Sequence, residues 1–311
     1  MEETDYLTQL KTQEALQYDE LKTVISKFNS LNIPVMLIKG AVDLAVPDNR
    51  PPGSLPRDMG DLDLLIQKKD WKKAVQGLND SGYCPLISSE DDSFAPPDIG
   101  QMDFVRSEPD GRIDLHYNMN KNRRVEGMFI IEEMWQRSKP VEFEGISALV
   151  PSISDQFWIR LVHFFLLHTC SLKEMLRDSG HLQQLIDFAN RHCEKISWDE
   201  IIRKARDQNL EILIYLVWYG IMQKYRKAPS FQLNKEIYKH ASFLWEWMKW
   251  AKRIPAVLNY AVGRFNNFSL FLNYSFPKTC GIFYIEMVKG LSKDVLFEKY
   301  HLPRCLFYLR S

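Results

Sequence analysis

Three carboxylates set among apolar residues are the groups in this 311-residue chain best placed to do chemistry. Asp61 and Asp63 lie two apart in Gly60-Asp61-Leu62-Asp63-Leu64-Leu65-Ile66. Asp114 lies in Arg112-Ile113-Asp114-Leu115-His116-Tyr117. Both stretches read as strands, and residues two apart on a strand share one face. Asp61 and Asp63 therefore point the same way from a rigid element. Burying two such carboxylates costs several kcal/mol unless a cation joins them. A hard divalent cation with oxygen ligands meets that need, and Mg²⁺ bound by a few carboxylates and by substrate phosphates is its usual form. If the second strand lies beside the first, Asp114 completes a three-carboxylate site, and His116 shares its face. On pattern alone a second reading stays open. Leu62, Leu64 and Ile66 alternate with the aspartates until Leu65 breaks the pattern, as on a surface strand with its polar residues outward.

The elements that must position these residues can be read around them. Apolar residues at helical spacing (Tyr18, Leu21, Val24, Ile25, Phe28, Leu31) predict a helix over 5–31. Val35 to Ile38, between Pro34 and Gly40, predicts a short buried strand. Gly40 then permits a tight turn into a helix starting at Ala41, a geometry that presents backbone N–H groups to phosphate. Residues 47–56 hold four prolines and a glycine and must be a loop. Trp71, Ala74, Val75 and Leu78 predict an amphipathic helix over 69–81, closed by Gly82. Residues 85–100 read as an exposed loop. Glu108-Pro109-Asp110-Gly111 predicts a hairpin turn between strands at 102–106 and 112–117, and 146–150 is one further short strand.

After Pro151 the character changes. Residues 155–169 are apolar nearly all round and predict a buried helix. More helices are expected at 181–191, 197–206, 210–225, 234–252, 255–263, 281–290 and 292–300. The helix at 197 is announced by a capping box, Ser197 with Glu200. The expected class is α+β. A small mixed-sheet domain with an N-terminal helix spans 1–150, and an all-helical domain that completes the cleft spans 151–311.

Composition removes several function classes. Forty basic and forty acidic residues cancel, so no global field draws the chain to nucleic acid or anionic membrane. The five cysteines are scattered without a CxxC pair, which argues against a disulfide framework and a structural zinc site. The chain opens Met1-Glu2-Glu3-Thr4-Asp5, unlike a signal peptide. Its longest apolar run, near 212–222, is too short to span a bilayer. A cytoplasmic protein without a membrane span is expected.

Gly40, the Asp61-Leu62-Asp63 pair and the distant Asp114 together resemble the signature of the polymerase beta-like nucleotidyltransferase superfamily. The finer resemblance is to a bacterial, largely uncharacterised branch. It rests on Ile38-Lys39-Gly40, on Arg57 four residues before the first aspartate, and on Asp114-Leu115-His116. It continues with a helix bearing His163 and with the Arg177 to Asp187 stretch. The match covers roughly residues 33–190, and no motif is visible beyond. One departure is Ala41, where the superfamily usually has a serine that contacts phosphate.

The resemblance implies Mg²⁺-dependent transfer of a nucleotidyl group from an NTP such as ATP to a hydroxyl-type acceptor, with release of pyrophosphate. Asp61, Asp63 and Asp114 would be the catalytic carboxylates and the ligands of two Mg²⁺ ions. Lys39, Gly40, Ala41, Arg57 and Gly60 would contact the nucleotide and its phosphates. His116 would orient these groups or touch the acceptor, and His163 and Arg177 would line the acceptor cleft. The implied acceptor is a small molecule, a sugar or a peptide. Transfer of the γ-phosphoryl group, modification of tRNA or protein by a toxin-like enzyme, and a non-catalytic scaffold role stay open.

Overall fold

The computed structural model describes residues 3–46, 49, 60–86, 100–106, 111–119, 127–164, 179–208 and 210–227, and the single positions 238, 241, 242 and 245. They form a mixed α/β structure built on one seven-stranded sheet. The strands are β1 (Val35–Leu37), β2 (Leu62–Ile66), β3 (Cys84–Pro85), β4 (Gln101–Arg106), β5 (Gly111–His116), β6 (Lys139–Phe143) and β7 (Ile146–Val150). The order across the sheet is β3-β4-β5-β2-β1-β7-β6. β2 lies near the middle, parallel to β5 and antiparallel to β1.

The helices follow from the same apolar periodicities. In α1 (Glu3–Ser30) the stripe Leu21, Val24, Ile25 and Phe28 is fully buried. It packs with α2 (Gly40–Ala45) and with the Trp71, Ala74, Val75 and Leu78 face of α3 (Trp71–Asp80) in one apolar cluster on the sheet. A stripe of that width facing a sheet is the usual way a helix buries its apolar side. Tyr83 OH donates to Glu20 at 2.5 Å, joining α1 to the end of α3.

Three described elements go beyond the sequence reading. β3 lies at the start of the expected 85–100 loop and pairs with β4. α4 (Ile131–Arg137) is too short for periodicity to reveal. β6 forms a hairpin with β7, Phe143 opposite Ile146. Glu144 and Gly145 make the connection, both at positive φ (48° and 78°), the geometry of a two-residue type I′ hairpin. Glutamate is an unusual residue there, so the turn carried no signal.

The chain divides into two compact units, 1–162 with 187–201, and 163–186 with 202–311. Residues 151–162 thus group with the sheet rather than with the helical half expected after Pro151. They include α5 (Ile153–Val162), whose Asp155 is gripped by Arg137 at 2.7 and 3.0 Å. α6 (Ser179–Arg191) and α7 (Trp198–Asp207) follow. α7 begins directly after Ser197, as the capping box predicts. The Ser197 N–H donates to Ser154 Oγ at 2.8 Å. α8 (Glu211–Tyr225) is buried along most of its length. The helix expected at 234–252 is described only at 238, 241, 242 and 245, all helical. Those expected at 255–263, 281–290 and 292–300 lie outside the described residues. Among the described residues no helix is long and apolar enough to cross a membrane.

Candidate active site

The parallel pairing of β2 with β5 sets Asp63 directly opposite Asp114. Adjacent strands lie about 4.8 Å apart, so this register alone brings two carboxylates together. β2 is buried along its whole length, and Asp63 and Asp114 are each only 4 % exposed. This is not a surface strand with polar residues outward. His116, two residues on from Asp114 and therefore on its face, is as deeply buried. Its Nε2 lies 3.1 Å from Asp63 Oδ1 and 3.2 Å from Asp114 Oδ2. Both neighbours are acceptors, so Nε2 carries a proton. Asp61, just before β2, is half-buried.

The turn after β1 brings in a cation. Lys39 Nζ sits 2.5 Å from Asp63 Oδ1. The turn is tied to β2 through the Ile38 N–H, which donates to the Asp63 carbonyl at 3.2 Å. Lys39 itself has φ 50° and ψ −123°, a conformation costly for any residue with a Cβ. Arg160 of α5 braces the turn from behind. Its guanidinium donates to Asp43 Oδ1 at 2.6 Å and reaches the Lys39 carbonyl at 3.4 Å.

The titration behaviour follows from this crowding. Burial disfavours charge on Asp63, but Lys39 and His116 outweigh it and hold the carboxyl well below the usual carboxylate range. Asp114 is likewise lowered against its burial, chiefly by the His116 hydrogen bond. Asp61 has no such donor, and burial together with the Asp63 charge pushes it up. His116 is raised because its hydrogen bonds to Asp114 and Asp63 overcome burial. Lys39 is raised because Asp63 overcomes burial in the same way. The site is a pocket of negative charge held together by cationic donors.

The donor set fits a divalent cation. Asp63, Asp114 and His116 offer ligand atoms within 4.8 Å of one another. Asp114 Oδ1 is buried and accepts no hydrogen bond. The two carboxylates suit a hard divalent ion such as Mg²⁺ or Mn²⁺, with the protonated His116 Nε2 holding them in place rather than ligating.

The structure therefore gathers Lys39, Asp63, Asp114 and His116, with Asp61 close enough to share their field. Gly40 begins α2 and is partly exposed, but the Ala41 N–H is engaged by the Ile38 carbonyl at 3.2 Å. Gly60 is exposed, with open space around it. His163 is described, in the other compact unit. Arg57 and Arg177 lie outside the described residues. Sequence reasoning passed over Arg160 and Asp43. The signal was a lone arginine in an otherwise apolar stretch, Phe157-Trp158-Ile159-Arg160-Leu161-Val162, where a charge needs a buried partner.

Residues 4–221 match a family described as uncharacterised nucleotidyltransferase, well over half of the chain. The chain belongs to that family. No curated protein matches it. Among solved structures it is similar to the lincosamide antibiotic adenylyltransferase LnuA in its lincomycin-bound form. The identity is 17 %, the TM-score 0.35, and the match covers 55 % of this chain and 96 % of that one. The family match of this nucleotidyltransferase extends past both ends of the motif-bearing stretch 33–190. It takes in α1, whose apolar face seals the sheet, and α7 and most of α8.

Proposed function

We propose that this nucleotidyltransferase moves a nucleotidyl group from an Mg²⁺-bound NTP to the hydroxyl of a small acceptor, with release of pyrophosphate. The observation that carries the reading is the register of Asp63 with Asp114, bridged by His116 at 3.1 and 3.2 Å. The acceptor oxygen bonds to the α-phosphorus as the bond from that phosphorus to the pyrophosphate oxygen breaks. Asp63 and Asp114, with Asp61 at the rim, would hold the metal. When bound, Mg²⁺ would orient the triphosphate and offset the charge that develops on it. Asp114 accepts the acceptor's proton, and His116 keeps that carboxylate aimed. Lys39 supplies a point charge to phosphate in place of the hydroxyl that Ala41 lacks. Gly40, Gly60 and Arg57 are further phosphate contacts in this reading. A small molecule, sugar or peptide is the acceptor class the reading favours, since the balanced charge gives no pull toward nucleic acid.

The test uses ATP labelled at the α or the γ position, Mg²⁺ and a panel of hydroxyl-bearing acceptors. Label from the α position should appear on an acceptor, and the γ-labelled substrate should release its label as pyrophosphate. Transfer of γ label to the acceptor would instead make the enzyme a phosphoryl transferase.

A further inference from the structure

The metal site holds a cation of its own. Lys39 Nζ lies 2.5 Å from Asp63 Oδ1, and His116 Nε2 lies 3.1 Å from that same oxygen. Two donors thus crowd one carboxylate oxygen, while Asp114 Oδ1, across the strand pair, accepts no hydrogen bond. An approaching divalent ion finds Asp114 Oδ1 available and Asp63 Oδ1 taken. Ammonium and metal cannot share Oδ1, because like charges at contact distance in a buried site repel strongly.

The lysine is placed so that its side chain, not its backbone, does the moving. The turn is pinned on each side: the Ile38 N–H donates to the Asp63 carbonyl, and the Ala41 N–H to the Ile38 carbonyl. Arg160 reaches the Lys39 carbonyl and grips Asp43 on the next turn of chain. The backbone at Lys39 is held at φ 50°, a strained conformation that persists only where its surroundings enforce it. From that fixed point a flexible four-carbon stem carries the charge.

We propose that Lys39 is the resident counter-ion of the metal site and that it must leave Asp63 for a phosphate oxygen before the metal is fully held. Metal and triphosphate then enter together. Bare metal has to displace the ammonium into water, whereas metal–NTP brings the anion that receives it. Because coupling between two ligands is reciprocal, nucleotide tightens metal binding as much as metal tightens nucleotide binding. This rests on the nucleotidyl-transfer reading, since it needs a phosphate-bearing substrate.

The experiment titrates Mn²⁺ by electron paramagnetic resonance into the full chain and into Lys39→Met and Lys39→Gln, each with and without a non-hydrolysable ATP analogue. The native chain should bind Mn²⁺ at least about tenfold more tightly when the analogue is present, the size of coupling that defines a linked pair. Lys39→Met should bind Mn²⁺ alone at least about tenfold more tightly than the native chain, and its dependence on the analogue should shrink. Lys39→Gln keeps a hydrogen bond to Asp63 and should behave likewise if Lys39→Met fails to fold. Native affinity that ignores the analogue, or variants that bind Mn²⁺ no more tightly than the native chain, would overturn the proposal. The function reading fails separately. A chain that shows these Mn²⁺ affinities yet transfers no α label loses the activity and keeps the counter-ion. One that transfers α label with unchanged affinities loses the counter-ion alone.

Discussion

Asp63 is the residue on which the site converges, touched by Lys39 and His116 and set opposite Asp114. Asp63→Asn keeps the size of the side chain but removes the charge that both partners answer. Transfer of α label should fall by at least about a hundredfold, since even groups that only orient a metal ligand are worth about 10- to 100-fold. Retained turnover would show that the chemistry lies elsewhere. Arg160 acts one step back. Removing it leaves Asp43, 5 % exposed, without its guanidinium, and releases the carbonyl of Lys39. Arg160→Ala should lower stability by about 1–3 kcal/mol, the usual range for a substitution that breaks a buried polar contact, and should raise the KM for NTP. Arg160→Lys, which can reach Asp43 but not both acceptors, should recover stability more than KM. Urea titration and initial rates read the two effects apart.

At the scale of elements, the end of β5 is fastened by a glycine. The Gly100 carbonyl accepts the N–H groups of Tyr117 and Asn118 at 2.8 and 3.0 Å. Gly100 has φ 80°, and an added Cβ would stand 2.6 Å from Asn118 Cβ and 3.0 Å from its carbonyl oxygen. Gly100→Ala should cost about 1–3 kcal/mol, read as a lower urea midpoint at unchanged slope. The β6–β7 hairpin gives the opposite expectation. Glu144 holds a left-handed conformation, and its ion pair with Lys22 at 2.9 Å is largely exposed, a kind of pair worth little. Glu144→Asn places the preferred residue ahead of Gly145 and should raise stability by about 0.5–1 kcal/mol.

At the scale of the whole molecule, acid stability depends on a histidine that belongs to no motif. His192 is 6 % exposed, packs against Phe188 with ring centroids 4.6 Å apart, and has Nε2 without a hydrogen-bond partner. Burial, with Arg191, Lys195 and Arg160 nearby, pushes its pKa down to about 4. The unfolded chain therefore takes up this proton first, near pH 6.5, and the folded chain only near 4. Folding free energy should fall as pH drops through that window, by about 2–3 kcal/mol for this group, and level off below it. His192→Leu should flatten that part of the pH profile in urea titrations between pH 7 and 4. An unchanged slope would assign the acid loss to the carboxylates alone.

What could be read from residue order alone was whatever depends on neighbours in the chain. The period of two placed Asp61 with Asp63 and Asp114 with His116, and the period of 3.6 placed the buried faces of α1 and α3. Gly40 after an apolar run marked the turn that carries Lys39. These are local rules of backbone geometry, and the family signature is written in them. Only the tertiary structure could decide register across strands. A slip of one residue between β2 and β5 would have sent Asp114 to the other face, and no residue of either strand states the register. The ion pair of Lys39 with Asp63 spans 24 positions and that of Arg160 with Asp43 spans 117. Such contacts arise because burial forbids an unpaired charge, so the partner is chosen by the fold. The β6 hairpin escaped notice because Glu144 is not a residue that marks a two-residue turn. The charge at the site was legible in the sequence. What neutralises it was set by which side chains the sheet and α5 bring within reach.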